Sequence, residues 1–342
     1  MHSYWAGLVK EGLARTSRRH MLRPAGLDNW VLERPLIGVI TVTGDNTPCS
    51  KPSCPFDLRL SPTIAASDEV SISCSTISAA DGTSTNEIGS RIPRASRELI
   101  ADCVELVIRR LKFEAVVAIA GGDKTIPGVM MAMARLNLPS VFVYGGGSVS
   151  DAHPTPEYAC APTVGVCQRQ FAADSMAMVA QTLGLSPLSS VATPAAFSER
   201  AGQARQAGEI ALRILDEGSP LPRDLITRKS LDNACAAVAA TGSSTNATLQ
   251  LPAIAHEAGV SFTVHDLAPV FKRTLIMAEG QPGGRDLAGT LYRSAGVPAV
   301  LRSLLAGGAL HGEALTIDAV QLQAALSSAA PVDQDSLEKL TS

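Results

Sequence analysis

The stretch FEAVVAIAGGDKTIPGVMMAMARLNLPSVFVYGGG, residues 113–147, decides the fold. It begins with a continuous apolar run that ends in two glycines, which is typical of a buried parallel strand entering a ligand-binding loop. The apolar residues at 126–137 then recur at helical spacing, with a proline near the start. The run at 140–147 is again apolar and ends in glycines. The stretch therefore predicts a strand, a helix and a second strand, which is the repeating unit of an α/β protein.

The flanking segments extend this pattern in both directions. PLIGVITVTG (35–44) reads as a buried strand, and EVSISCSTISAADG (69–82) as a strand running into a loop. SRELIADCVELVIRRL (96–111) has helical spacing, with Ser96 as the expected N-cap. We therefore predict an α/β fold with a doubly wound, mainly parallel sheet flanked by helices and right-handed crossovers. The second half is predicted to be helix-rich, with helices at 170–184, 198–217, 228–240 and 245–258.

We expect a single α/β domain over residues 1–330 and a tail at 331–342. The basic N-terminal segment is interpreted as a structural helix with a solvated face, and an amphipathic targeting helix is the alternative. No linker or internal repeat divides the chain.

Composition excludes several classes of function. Hydrophobic residues make up 46% of the 342 residues and charged residues 18%, which is enough apolar material for a large core. The net charge of -3 does not suit a general nucleic-acid binder, and no apolar run is long enough to span a membrane. The seven cysteines show no small-scaffold spacing, so we expect a reduced compartment, the cytoplasm or alternatively the mitochondrion.

Three loops follow the predicted strands, at 44–54, 81–90 and 121–125. Ligands of parallel sheets collect at the carboxyl ends of the strands, where these loops begin. Asp81 and Asp123 could together hold a hard divalent cation such as Mg²⁺. Lys124 would repel that cation unless its amine were carbamylated. The alternative interpretation is that Asp123 and Lys124 form an ion pair that closes the loop.

The same stretches resemble the dihydroxy-acid dehydratase and phosphogluconate dehydratase family. The resemblance is strongest at DKTIPG (123–128) and in the residues that follow it. It continues in the same order over nearly the whole chain. The further matching stretches are TPC (47–49), DG (81–82), SRELIADCVE (96–105), GVCQRQFAADSMAMVAQTLGLSPLSSVATPA (165–195), GSSTNATLQLPAIAHEAGV (242–260) and DLAGTLYRSAGVPAVLRSLLAGGALHGEALTID (286–318).

The resemblance implies a hydro-lyase that converts a 2,3-dihydroxy carboxylic acid into a 2-oxo acid. In the family, an iron–sulfur cluster acts on the leaving hydroxyl, Mg²⁺ grips the substrate carboxylate, and a base removes the adjacent proton. By position, Asp81, Asp123 and Lys124 match the Mg²⁺ ligands, with Lys124 at the carbamylated, catalytic lysine. Cys49 and Cys167 match two of the three cluster cysteines.

The chain departs from the family pattern at Gly122, where the family has the middle cluster cysteine. Glycine has no side chain that could ligate iron, so we expect loss of the cluster ahead of its rescue by Cys54, Cys160, water or a small thiol. Further arginines, at Arg91, Arg94 and Arg169, add positive charge near the metal loops or bind an acidic group.

Family enzymes continue into a further domain that supplies the catalytic base, and we expect this chain to comprise only the N-terminal domain. The first functional hypothesis is a hydro-lyase that acts on a small hydroxy acid, in a specialised biosynthetic pathway. The alternative is a non-catalytic binding or regulatory subunit, as a homodimer or in association with a full-length homologue. A third hypothesis is a fragment that exposes an apolar surface normally covered by the second domain.

Overall fold

The computed structural model describes residues 20, 22–25, 34–51, 70–80, 92–148, 163–167, 172–188, 190–191, 193–277 and 296–329. The predictions for the N-terminal helix and for the tail at 331–342 lie outside these residues. Among the helices that are described, none has both the length and the apolar character needed to cross a bilayer.

A four-stranded parallel sheet forms the centre of the fold, in the order β2-β1-β3-β4. Its register places Ile37 of β1 between Ser71 of β2 and Ala115 of β3. The predicted α/β class with a parallel sheet is therefore confirmed. The strands are β1 (Leu36–Val42), β2 (Val70–Thr76), β3 (Ala115–Ala120) and β4 (Ser140–Tyr144).

Burial on both faces explains why three of these strands read as continuous apolar runs. Every residue of β1, β3 and β4 is buried, whereas β2 is only half-buried and lies at the edge of the sheet. Side chains alternate along a strand, so Ile40 of β1 joins one hydrophobic cluster and Val39 joins the other. The sheet is thus covered on both sides, as expected for a parallel sheet.

The helices divide between these two faces. One cluster contains residues of α1–α3 and α5–α10, including Met130, Met131 and Met133, and the opposite cluster is covered by α4. Helices dominate the second half of the chain, as predicted. They are α1 (Ile92–Leu111), α2 (Thr125–Leu136), α3 (Ala172–Thr182), α4 (Glu199–Glu217), α5 (Pro222–Leu225), α6 (Arg228–Ala240), α7 (Ala247–Ala258), α8 (Val264–Arg273), α9 (Gly296–Ala306) and α10 (Leu322–Ser328).

The predicted N-cap of α1 is wrong. The helix begins at Ile92, so Ser96 lies inside it and is buried. Ser96 is followed by the apolar helical pattern and looks like a start signal, but the preceding turn also adopts helical geometry. Local capping preference is weaker than the packing that fixes where a helix begins.

The strand order places a crevice at the carboxyl edge of the sheet. The chain moves outward from β1 to β2, then crosses back over β1 to β3 and β4. The loops that leave β1 and β3 therefore lead in opposite directions from neighbouring strands. Ligand sites of open α/β sheets form at this reversal, just beyond the carboxyl ends of the strands.

Gly128 sets the spacing between α1 and α2. A Cβ atom at this position would lie 2.8 Å from the carbonyl oxygen of Arg97 and 3.0 Å from the side chain of Ile100. We predict that Gly128→Ala lowers the free energy of unfolding by ~1–3 kcal/mol, because the two helices must separate. Chemical denaturation monitored by circular dichroism measures this change.

Gly202 provides the matched control. It lies within α4, is exposed, and a Cβ there would meet no atom within 4 Å. Gly202→Ala should stabilise the protein by ~0.5–1 kcal/mol, because alanine favours the helix over the unfolded chain. Equal effects of the two substitutions would contradict the proposed close contact between α1 and α2.

Candidate functional site

The carboxyl edge of the sheet brings together four of the residues singled out in the sequence. Cys49 lies in the loop after β1, and Asp123 and Lys124 lie in the loop between β3 and α2. Cys167 follows a short segment that pairs with the turn after β4. Asp81 lies outside the described residues, as do Cys54, Cys160 and the side chains of Arg91, Arg94 and Arg169.

Close backbone contact holds the loops after β1 and β3 against each other. A Cβ atom at Gly121 would collide with the carbonyl oxygen of Cys49, so only glycine allows this approach. The amide of Gly145, at the end of β4, donates to the carbonyl of Ala120 at 2.9 Å. The loop after β1 and the ends of β3 and β4 are therefore in direct contact.

Asp123 and Lys124 form an ion pair. The distance from Lys124 Nζ to Asp123 Oδ2 is 2.8 Å, and the two side chains are only 8% and 13% exposed. Charges removed from water in this way interact more strongly than charges on the surface. The structure thus contains the ion pair between Asp123 and Lys124 that the sequence suggested as an alternative. Any cation that binds Asp123 must compete with the ammonium group of Lys124.

The Cys49 thiol is buried beside this pair and donates a hydrogen bond to Thr47 Oγ1 at 3.1 Å. Burial raises the pKa of the Cys49 thiol above its ordinary value, and the hydrogen bond with Thr47 only partly offsets this. The negative charge of Asp123 also raises the pKa of Cys49. Cys49 is therefore a neutral thiol at neutral pH and becomes a thiolate only when a cation replaces its proton.

Hydroxyl groups join the loop after β1 to the residues that follow β2. Thr47 Oγ1 and Ser50 Oγ lie 2.8 Å apart, and Ser50 Oγ contacts Ser78 Oγ. Asn46 Nδ2 donates to the carbonyl of Ser78 at 3.1 Å. No sequence pattern marks these residues, because serine and threonine are common in loops and Ser50 and Ser78 are nearly thirty positions apart in the chain.

The segment that carries Cys167 is hydrogen-bonded into the same edge. The amide of Val166 donates to Gly146 at 3.0 Å, and the amide of Gly165 donates to Pro48 at 3.0 Å. These bonds place the segment between the glycine turn after β4 and the loop of Cys49. Cys167 follows directly and is half-buried. The two candidate thiols thus lie on neighbouring loops.

Gly122 leaves no side chain between Gly121 and Asp123. Its amide donates to Thr125 Oγ1 at 2.7 Å, and this hydroxyl donates to the Gly122 carbonyl at 3.1 Å. A Cβ atom at position 122 would lie 2.9 Å from Thr125 Oγ1. The Thr125 hydroxyl therefore takes the space in which a side chain at 122 would begin.

A buried carboxyl group lies beneath the glycine turn and was not predicted. The Tyr144 hydroxyl donates to Asp174 Oδ1 at 2.5 Å, and both side chains are buried. Asp174 Oδ2 is buried too, and no described residue forms a hydrogen bond with it. Burial raises the pKa of Asp174 to about 7, although the bond from Tyr144 acts in the opposite direction. A lone carboxylate within the apolar segment 172–182 was the signal that could have revealed it.

Arg200 adds a positive charge near this pair. Its side chain is completely buried, and Nη1 donates to the Ser190 carbonyl at 2.9 Å and to Gln203 Oε1 at 2.6 Å. Burial lowers the pKa of Arg200 to about 9, and the proximity of Tyr144 partly opposes this shift. Three ionisable side chains are thus held in a region of low dielectric constant below the site.

The described donors suit a hard cation only in part. Asp123 supplies one carboxylate, and no group of three or more His, Cys, Asp or Glu side chains within the described residues is arranged to hold a metal. A full Mg²⁺ site would therefore need oxygen ligands in addition to this carboxylate. For a cluster, the described part of the edge supplies two thiols, Cys49 and Cys167, which do not fit a three-thiolate set.

Comparison with known proteins identifies the family. A family model described as "Dihydroxy-acid/6-phosphogluconate dehydratase N-terminal" matches residues 34–155 and 147–325. The chain belongs to this dehydratase family. The resemblance noted in the sequence is therefore confirmed, and the match includes the loops of Cys49, Asp123 and Cys167.

Individual relatives in the dehydratase family agree with this assignment. Dihydroxy-acid dehydratase 2 of Bordetella bronchiseptica is 48% identical over 354 aligned positions, covering 96% of this chain and 62% of the relative. Dihydroxy-acid dehydratase 3 of Bradyrhizobium diazoefficiens is 38% identical, covering 91% and 58%. A dihydroxy-acid dehydratase of Aeropyrum pernix is 36% identical, covering 94% and 63%. The chain thus spans less than two thirds of the length of these relatives.

The stability of the dehydratase fold should depend on the protonation of Asp174. Its pKa is higher in the folded state than in the unfolded chain, so the folded state binds more protons between about pH 4 and 7. Stability is therefore greatest at the acidic end of this window and is lost as the pH rises through it. We predict that the free energy of unfolding falls by on the order of 2–4 kcal/mol between pH 5 and 8.

Asp174→Asn should remove most of this pH dependence, because the amide keeps an acceptor for Tyr144 and does not ionise. Urea unfolding at both pH values measures the slope. The exposed Asp216 on α4 is the control, since Asp216→Asn should leave the slope unchanged. An unaltered slope in Asp174→Asn would show that the buried carboxyl is not its source.

Proposed function

We propose that this chain supplies the metal-binding part of a hydro-lyase that converts a 2,3-dihydroxy carboxylic acid into a 2-oxo acid. One observation carries the proposal: Cys49, Asp123 and Lys124 converge at the carboxyl edge where the strand order reverses, within a chain that belongs to the dehydratase family. The names of the relatives, dihydroxy-acid dehydratases, support this substrate class.

The reaction requires one C–H bond and one C–O bond to break. The proton leaves the carbon next to the carboxylate and the hydroxyl leaves the following carbon, so that a carbon–carbon double bond forms. The resulting enol then tautomerises to the 2-oxo acid, and one water molecule is released. A site for this chemistry must neutralise the substrate carboxylate and stabilise the negative charge that develops beside it.

We propose Mg²⁺ as the resident cation, with Asp123 and Asp81 as ligands and Lys124 as a third. When bound, Mg²⁺ would neutralise the substrate carboxylate and acidify the adjacent C–H bond. Asp123 is suited to hold it because its carboxylate lies at the end of β3 in a largely buried loop.

Lys124 has a different role in each of its two chemical states. As an ammonium group it neutralises Asp123 and closes the loop. As a carbamate, formed when its neutral amine bonds to carbon dioxide and loses a proton, it would carry a negative charge. Two adjacent anions in a buried loop require a cation between them. We therefore propose that carbamylation of Lys124 and cation binding at Asp123 occur together.

The proposed reaction does not depend on an iron–sulfur cluster. Cys49 and Cys167 are the candidate ligands, and a third ligand would have to come from residues such as Cys54 or Cys160 that lie outside the described part of the chain. The Thr125 hydroxyl takes the space beside Gly122, where the family pattern places a thiol. The hydro-lyase proposal thus rests on the oxygen donors.

Asp123→Asn tests the proposed activity. The chain is incubated with Mg²⁺, bicarbonate and a panel of branched and sugar-derived 2,3-dihydroxy acids, and 2-oxo acid is measured as its hydrazone. We expect turnover by the original chain and a loss of ~100-fold or more in Asp123→Asn, because the carboxylate ligand is removed. Asp45→Asn is the matched control, since Asp45 is exposed in the neighbouring loop and pairs with Lys51 at 3.4 Å.

Isothermal titration with Mg²⁺ and substrate separates this proposal from its alternative. Binding that depends on Asp123, without formation of 2-oxo acid, would overturn the hydro-lyase assignment and support a non-catalytic binding subunit. Turnover that is unaffected by Asp123→Asn would place the chemistry elsewhere in the chain.

Carbon dioxide should strengthen cation binding. We predict that Mn²⁺, used as a paramagnetic probe for Mg²⁺, binds at least ~10-fold more tightly in bicarbonate than in buffer free of carbon dioxide, because a positive charge beside Asp123 becomes negative. Lys124→Arg should abolish the difference, since arginine keeps its charge. Lys51→Arg, in the neighbouring loop, should retain it. Equal affinities in both buffers would exclude a carbamate at Lys124.

A further inference from the structure

The glycine turn after β4 contains one glycine that the backbone does not require. Gly146 has a φ of 93°, in the left-handed region, and a Cβ atom there would lie 2.7 Å from the amide nitrogen of Ala195. Gly147 has a φ outside that region, and Asp174 Oδ1 is the one atom of a described residue within 4 Å of its Cβ position, at 3.7 Å. An alanine would therefore fit at position 147, and the glycine leaves a space beside Asp174.

Asp174 forms the inner wall of this space. Its side chain is only 7% exposed, and its Oδ1 atom accepts a hydrogen bond from the Tyr144 hydroxyl. No described residue forms a hydrogen bond with Oδ2, which is also buried. Because an unpaired buried oxygen is unfavourable, a polar group that enters the space and bonds to the carboxyl group is bound favourably.

The space lies next to the loop that carries Asp123. A Cβ atom at Gly145 would lie 3.4 Å from the Cα atom of Gly121, so the glycine turn and that loop are in contact. Gly147 is half-buried, and its amide forms no hydrogen bond with a described residue. An N–H donor and a carboxyl group are thus available together at the edge where the substrate is proposed to bind.

The surrounding charges favour a neutral group as the ligand of Asp174. Burial raises the pKa of Tyr144 well above its ordinary value, and the positive charge of nearby Arg200 acts in the opposite direction. The same positive charge disfavours a cation at this place, and an ionised Asp174 repels an anion. A hydroxyl group avoids both effects, since it is neutral, donates to a carboxylate and accepts from an amide.

We propose that the space beside Gly147 binds a hydroxyl group of the substrate, and that Asp174 determines specificity through this contact. The inference rests on the proposed hydro-lyase function and narrows its substrate class. An acid whose chain carries further hydroxyl groups beyond carbons 2 and 3 is preferred over an acid that ends in a hydrocarbon chain. The carboxylate end lies at Asp123 and the hydroxylated end at Gly147.

Two acids of equal length test the preference. Gluconate and 2,3-dihydroxyhexanoate, with the same configuration at carbons 2 and 3, differ in the hydroxyl groups at carbons 4–6. Ligand-detected nuclear magnetic resonance on the full chain with Mg²⁺ and bicarbonate measures the Kd of each acid and any 2-oxo acid formed. We expect gluconate to bind about tenfold more tightly, because its hydroxyl group bonds to Asp174. Equal affinities, or tighter binding of 2,3-dihydroxyhexanoate, would overturn the proposal.

Gly147→Ala fills the space without disturbing the fold, since the added methyl group makes an ordinary contact with Asp174. This variant should bind the two acids with equal affinity, through a roughly tenfold loss for gluconate alone. Gly202→Ala is the matched control, because Gly202 is exposed on α4 and a Cβ there meets no atom within 4 Å. A preference for gluconate that persists in Gly147→Ala would exclude binding beside Gly147.

Substitutions of the two aspartates separate this proposal from the hydro-lyase proposal. Asp174→Ala should remove the preference for gluconate, whereas Asp174→Asn should retain most of it, because the amide still donates and accepts. Asp123→Asn should weaken both acids equally and leave their ratio unchanged. A ratio near one in the original chain, with the effect of Asp123→Asn intact, overturns only the hydroxyl site. Absence of 2-oxo acid, with the ratio intact, overturns only the hydro-lyase assignment.

Discussion

Direct backbone contact at Gly121 is the constraint on which the candidate site depends. A side chain at this position would collide with the carbonyl oxygen of Cys49, and a Cβ at Gly145 would lie 3.4 Å from the Gly121 Cα atom. The loop after β1 and the ends of β3 and β4 therefore lie side by side, with no side chains between their backbones. The loops that continue from these strands bring their polar side chains into one small region. This close approach is possible because the glycines beneath these loops have no side chains.

The same tight packing makes every charge at this edge costly. Asp123 and Lys124 satisfy each other, and Cys49 remains a neutral thiol. Asp174, beneath the glycine turn, accepts a hydrogen bond from the Tyr144 hydroxyl at Oδ1 and has no partner for Oδ2 among the described residues, and burial raises its pKa. Burial thus raises the pKa of both Cys49 and Asp174, because the protein interior solvates a negative charge less well than water does.

Predictions from the sequence were correct where the local pattern of apolar residues matches the burial of those residues in the fold. Continuous apolar runs predicted β1, β3 and β4 because both faces of these strands are covered, and the Asp-Lys pair was found at the predicted strand end. The predicted N-cap at Ser96 was wrong, because packing overrides the local preference of serine for the capping position and the helix begins at Ile92. The contacts of Tyr144 with Asp174 and of Ser50 with Ser78 join residues about thirty positions apart, and no local pattern encodes such pairs.

The chemistry available to the edge follows from what stands next to Asp123. Gly122 has no side chain that could bind a metal, and the hydroxyl of Thr125 is hydrogen-bonded to both the amide and the carbonyl of this glycine. The loop after β3 thus presents oxygen donors, and the Cys49 thiol lies on the neighbouring loop. Oxygen donors favour a hard cation, whereas an iron–sulfur cluster needs thiolates. The two neighbouring glycines therefore have separate consequences: Gly121 allows close contact between the loops, and Gly122 contributes no side-chain ligand to the site.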